Sequence, residues 1–197
     1  MHHIHELSHG LAALKLGDTT ARDQGRLTLN PIKHIDVVGF LMMVVFGFGW
    51  AKPVPVDMRN LRNPKRDMAI VALAGPVSNL LLAVVFAIIG GVVLAIPVSN
   101  YTFHSIVIDV VFRIMSMSIG LAIFNMIPLP PLDGSKILFS VLSDKAYARL
   151  MVIERYGSII LMALLFSNVL DGVLATINMW VLTVLMRLMR LIIALLT

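Results

Sequence analysis

MAIVALAGPVSNLLLAVVFAIIGGVVLAIP, residues 68–97, is the stretch on which the fold turns. It holds no Asp, Glu, Lys or Arg, and the charge-free run extends over 69–108. A bilayer core about 30 Å thick needs about 20 helical residues, so a run this long reads as a membrane span. The whole chain agrees: its 197 residues are 58% hydrophobic and 14% charged, against about 25% charged in ordinary soluble domains. The expected fold is an all-α polytopic membrane protein forming one domain over 1–197.

Outward from that span, residues 105–127 return, with Asp109 and Arg113 one helical turn apart near the outer end. Two further spans are expected at 151–170 and 173–195, separated by an outer Asp171-Gly172 turn. Arg187 and Arg190, near the end of the last span, predict a cytoplasmic C-terminus. Lys and Arg gather in 17–34, 51–67 and 143–150 and are missing from 98–104. Under the positive-inside bias the first three face the cytoplasm and the fourth faces outside. The net charge of +5 is therefore a topology signal, and nucleic acid is not an expected partner. Residues 35–50, IDVVGFLMMVVFGFGW, are apolar but broken by glycines and flanked on both sides by basic residues. With both flanks on one face, this stretch must enter and return, as a re-entrant segment covered by protein. Alternation over Arg26, Leu27, Thr28 and Leu29 predicts a small surface β element. Residues 3–16 suit a helix too short to cross, and no apolar stretch of signal-peptide type follows the first histidines.

The chemistry begins at HIHELSH, residues 3–9. On a helix, His5 and His9 share a face one turn apart and can hold one zinc ion, with Glu6 beside them to take a proton from water. The chain has no cysteine, so a metal must rely on His, Asp or Glu. A catalytic site of this type needs a third protein ligand. Asp18, Asp23, Asp36, Asp57 and Asp67 lie in basic loops and read as solvated surface, while Asp109 has Arg113. Asp133 stands apart in NMIPLPPLDGSK, directly after a span, where an acid is costly unless paired or metal-bound. On these residues alone it is either a ligand or the N-cap of a helix over 136–142. His2 and His3 fall out of register with His5 and His9 and read as bystanders. A metal permease would require more ionisable residues deep in the spans than Asp109 and Arg113.

HELSH at 5–9, GRLTLNP at 25–31, FGWAKPVPV at 48–56, AGPVSN at 74–79 and NMIPLPPLDG at 125–134 together resemble the site-2 protease family of intramembrane zinc metallopeptidases. The resemblance is nearest to its compact prokaryotic branch, which lacks a PDZ or regulatory domain. It implies a site-2 protease-like helical core in which His5, His9 and Asp133 bind one Zn2+ and Glu6 is the catalytic base. It also implies that Asn125 lies near the scissile carbonyl as a catalytic donor, the alternative being simple helix-end capping near Pro128, and that Asn79 belongs to helix packing beside the site, where it reads as bonding to backbone near the re-entrant segment. The activity implied is zinc-dependent endopeptidase cleavage of membrane-spanning proteins in the cell membrane, at a site open toward the cytoplasm. The alternative is a non-catalytic relative that binds membrane partners. In the family the metal helix begins well upstream, so 3–16 is read as a partial metal helix and the chain as N-terminally short.

Overall fold

The computed structural model describes residues 1–46, 52–97 and 101–197. In chain order come α1 (His2–Leu16), α2 (Thr20–Asp23), a 3-10 turn at Pro31–His34 and α3 (Val37–Phe46). A second 3-10 turn at Met58–Asn60 leads into α4 (Pro64–Ala95), followed by α5 (Tyr101–Asn125), α6 (Asp133–Val141), α7 (Asp144–Phe166) and α8 (Asp171–Leu196). Among the described residues three helices are long and apolar enough to cross a membrane: α4, α5 and α8. The protein is a multi-pass membrane protein.

These three helices pack through small residues. α4 presents Ala83, Ala87, Gly90 and Gly91 along one face, all buried. A Cβ at Gly90 would come within 2.7 Å of Met189 Cε, and one at Gly91 within 2.9 Å of Ile192 Cβ. Met115 and Ile119 of α5 and Leu185 and Met189 of α8 close the same cluster. Lipid tails are as apolar as these side chains, so close interhelical contact, rather than escape from water, holds such helices together.

The contacts also fix helix directions. The late half of α4 meets the late half of α8 at Gly91 and Ile192, whereas Gly120 of α5 faces Asn178 near the start of α8. Thus α8 runs parallel to α4 and antiparallel to α5, and Leu196 lies at the Ala95 end of the bundle. This corrects the expectation that Arg187, Arg190 and the C-terminus share a side with the basic 51–67 segment. The reason lies in α7. The carbonyl of Leu142, just before it, accepts from Lys65 Nζ at 3.5 Å at the start of α4. After it, Leu174, Ala175 and Asn178 share a small cavity with Gly120, Ile123 and Phe124 near the end of α5. The chain therefore leaves α7 at the end of the bundle where it entered. The span expected at 151–170 overlaps α7.

The small surface β element is corrected outright: the described residues contain no β-strand, and 26–29 is irregular chain with a bend at Thr28. Its backbone groups are used locally rather than in a ladder. Arg26 N–H donates to Ala21 O, Thr28 N–H to Arg26 O, and the Thr28 carbonyl lies 2.8 Å from His34 Nε2. Of the expected re-entrant segment 35–50, α3 forms the first part, with Val37, Val38, Leu41 and Val44 exposed. Residues 47–50 lie outside the described residues.

Candidate metal centre

α1 carries the first half of the site. It ends at Gly17, whose left-handed conformation (φ 113°) lets its N–H reach Leu14 O while Asp18 N–H reaches Ala13 O. This is the glycine stop that satisfies the last helical carbonyls. The helix buries His5, Glu6, His9, Gly10 and Ala13, with His5 and His9 separated by four residues and hence one above the other. α4 supplies the wall behind them. A Cβ at Gly75 would lie 2.5 Å from His9 Cε1 and Nε2 and 2.6 Å from His5 Cε1, so only glycine lets the two imidazoles rest against that helix.

Asp133 closes the site from the other side. It is the first residue of α6, with Leu132 as the N-cap, so the capping alternative raised by the sequence does not describe it. Its Oδ2 lies 3.1 Å from His5 Nε2 and 3.2 Å from His9 Nε2, and the two Nε2 atoms are 3.0 Å apart. The three residues are 2–8% exposed. Lys136 Nζ stands 3.7 Å from the second carboxylate oxygen. Asp133 reaches this position because Gly134 packs against the carbonyls of Met126 and Ile127, where a side chain would collide.

Proton positions follow from the partners. His9 Nδ1 is 2.7 Å from the carbonyl of Val71, which can only accept, so Nδ1 carries a proton and in the neutral ring Nε2 presents a bare lone pair. His5 Nδ1 meets the side-chain amide of Asn79 at 3.1 Å. With the amide nitrogen facing His5, Asn79 Oδ1 is buried without a partner. A half-turn of the amide gives Oδ1 the His5 Nδ1–H and leaves His5 Nε2 bare as well. Asn79 thus bonds to a site imidazole rather than to backbone near the re-entrant segment.

The donor set fits a metal ion. Asp133 Oδ2 is buried and lacks a hydrogen-bond partner, although two imidazole nitrogens adjoin it. With both rings neutral and protonated at Nδ1, three lone pairs converge and none can donate to another. Zinc bonds of about 2.0–2.1 Å in a tetrahedron set neighbouring ligand atoms about 3.3 Å apart, close to the 3.0–3.2 Å seen here. His5, Glu6 and His9 form a buried cluster whose ligand atoms lie within 4.8 Å of one another and can chelate a metal.

Glu6 is held differently. Its Oε2 accepts the Val54 N–H at 2.8 Å, and its Oε1 is 3.7 Å from His2 Nε2. Asn125 ends α5 and donates its amide to Leu121 O at 2.9 Å, within its own helix. The sequence reading missed Val54, Val71 and Gly75 because two act through backbone atoms and the third through a missing side chain. A glycine inside a bulky apolar span was the available signal for Gly75. It also misread two acids as solvated surface: Asp18 is 0% and Asp67 3% exposed.

Comparison with known proteins agrees with this geometry. Residues 89–168 match peptidase family M50. The chain is 41% identical over 162 residues to "Putative zinc metalloprotease YwhC" of Bacillus subtilis (strain 168), covering 82% of this chain and 74% of that protein. It is 27% identical over 175 residues to "Putative zinc metalloprotease Rip2" of Mycolicibacterium smegmatis, covering 85% and 64% of the two chains. It is also 31% identical over 141 residues to "Putative zinc metalloprotease MJ0611" of Methanocaldococcus jannaschii, covering 68% and 63%. The chain thus spans just under two thirds of the last two relatives. No solved structure matches it. The chain belongs to peptidase family M50, the site-2 protease family of zinc metalloendopeptidases.

Proposed function

We propose that the protein is a zinc-dependent intramembrane endopeptidase that hydrolyses peptide bonds of membrane-spanning protein substrates. The observation that carries this reading is the convergence of His5 Nε2, His9 Nε2 and Asp133 Oδ2 within 3.0–3.2 Å beside an acid, Glu6. His5, His9 and Asp133 hold one Zn2+, which when bound lowers the pKa of water toward 7 and polarises the scissile carbonyl.

The chain's own residues do the rest. Glu6 Oε2 is occupied by Val54 N–H, so Oε1 takes the proton from water and later delivers it to the leaving amine. Asn125 releases its bond to Leu121 O and donates to the developing oxyanion. Asn79 and the Val71 carbonyl keep both imidazoles turned with Nε2 inward. The α4 side of the site is walled by Gly75 rather than by a side chain, which leaves room for both rings and no more. The substrate presents a locally unwound backbone, because a helical carbonyl is already engaged. Water reaches the site from the cytoplasmic face.

The test uses two variants in detergent or bilayers. Glu6→Gln keeps one zinc per chain and loses cleavage of a membrane-spanning substrate by about 10²–10⁴-fold. Asp133→Ala loses zinc. Normal cleavage by zinc-loaded Glu6→Gln would refute the base, and full zinc affinity in Asp133→Ala would refute the ligand.

A further inference from the structure

Two buried polar groups outside the metal centre share one neighbour. Asp18 is fully buried just after α1. Its Oδ2 accepts the Asp57 N–H at 2.7 Å, and its Oδ1 accepts Asn60 Nδ2 at 2.9 Å and Thr20 N–H at 3.0 Å. Asp57 spends its own carboxylate on Arg59, so the bond to Asp18 runs through its backbone. Arg26 is 7% exposed and has no carboxylate partner among the described residues. Its Nη2 donates to the carbonyls of Lys52 and Pro53 at 2.9 and 3.2 Å.

A buried cation that meets only carbonyls, and a buried anion that meets only donors, are expensive unless their geometry is needed. Both bind the same short segment, one at each end. Midway sits Val54. Its N–H is the donor to Glu6 Oε2, and its side chain packs where a Cβ on Gly10 would come within 3.1 Å. Pro53 and Pro55 flank it and have no N–H to offer. Within 53–55 only Val54 can serve Glu6.

We propose that Asp18 and Arg26 are positioning residues that clamp the 52–57 segment at both ends, so that Val54 N–H holds Glu6 Oε2 and leaves Oε1 for water. This role rests on the reading of Glu6 as the base. Neither residue touches substrate or metal. Asp18→Asn is the sharpest perturbation, because its amide turns a donor toward the Asp57 or the Asn60 donor and one bond is lost. Arg26→Gln removes the other anchor, and Arg26→Lys keeps one donor.

Amide hydrogen exchange of 52–57, measured on metal-free protein, reads the clamp without any activity, since the two prolines leave few amides to confuse with Val54. Asp18→Asn and Arg26→Gln are expected to speed that exchange roughly tenfold or more, the scale of one lost hydrogen bond to a charged group. Zinc stays at one per chain, kcat falls roughly tenfold, and KM for a membrane-spanning substrate stays within about twofold. Arg26→Lys recovers part of both losses, which a merely structural role would not do. Wild-type exchange and kcat in both variants would overturn the clamp, and so would parallel loss of zinc or a rise in KM alone. Glu6→Gln, run alongside, separates the two readings. If it cleaves normally the base assignment fails, and if it is inactive while the clamp variants cleave normally only the clamp fails.

Discussion

Gly75→Ala adds one methyl group in a place where the structure has no room for it. The new Cβ would lie 2.5 Å from His9 Nε2 and 2.6 Å from His5 Cε1, against about 3.5–4.0 Å for comfortable contact. Either both rings or α4 must retreat by about 1 Å. α4 is pinned by Ala83, Ala87 and the glycines packed on α8, so the rings yield. Metal ligands tolerate displacements of only about 0.2 Å. Overpacking of this kind costs about 1–3 kcal/mol, which is about 5- to 150-fold in zinc affinity. In the metal-free protein the rings are free to turn aside, and alanine, the better helix former by about 1 kcal/mol, offsets what that movement costs. Competition with a fluorescent zinc chelator measures the affinity, and thermal unfolding of the metal-free form measures the stability. The expected signature is weaker zinc binding with an unchanged or raised unfolding temperature. Zinc affinity within twofold of wild type would refute the packing argument.

Asn79→Ala removes the partner that turns His5 and is expected to lower zinc affinity about 10- to 100-fold, whereas Asn79→Asp, which keeps an acceptor, retains most of it; chelator competition distinguishes them. Gly91→Leu overpacks the α4–α8 contact at Ile192 and lowers stability by about 1–3 kcal/mol, read as a lower unfolding temperature, with zinc stoichiometry unchanged. Burial pushes the Asp18 carboxyl up, but hydrogen bonds from Asn60, Thr20 and the Asp57 N–H outweigh it and hold its pKa below the usual value. Its stabilising contribution is therefore fully present above the unfolded value near 4 and is lost as pH falls through the lower folded value; unfolding of wild type should lose that part of its pH dependence in Asp18→Asn. Single cysteines at Asn60 and Thr197 should label from opposite faces of the membrane, since α8 runs parallel to α4; labelling from one face would contradict that direction.

The sequence displayed what is written in residue type and spacing. Long apolar runs announce α4 and α5, and His5, Glu6, His9 and Asp133 are visible because an imidazole pair at helical spacing and an acid after a span are chemically odd. Chain direction was not legible in the same way. Arg187 and Arg190 obey a statistical charge bias, but the side on which α8 ends depends on the path of α7, which composition alone does not decide. The 26–29 alternation failed as a strand signal because a strand needs a partner, and Ala21, Thr28 and His34 consume the backbone groups first. Asp18 and Arg26 look like ordinary charges in a basic loop, and only the folded neighbourhood shows them buried on the 52–57 segment.

X-ray absorption at the zinc edge tests the central claim most directly, on wild-type protein and on His9→Ala and Asp133→Ala. The three-residue cage predicts four nitrogen or oxygen ligands at about 2.0–2.1 Å, with two imidazole scattering signatures in wild type. One imidazole is lost in His9→Ala, while both remain on whatever weakly bound zinc survives in Asp133→Ala. A wild-type spectrum with one imidazole or none, or one unchanged by His9→Ala, would contradict the assignment of the site.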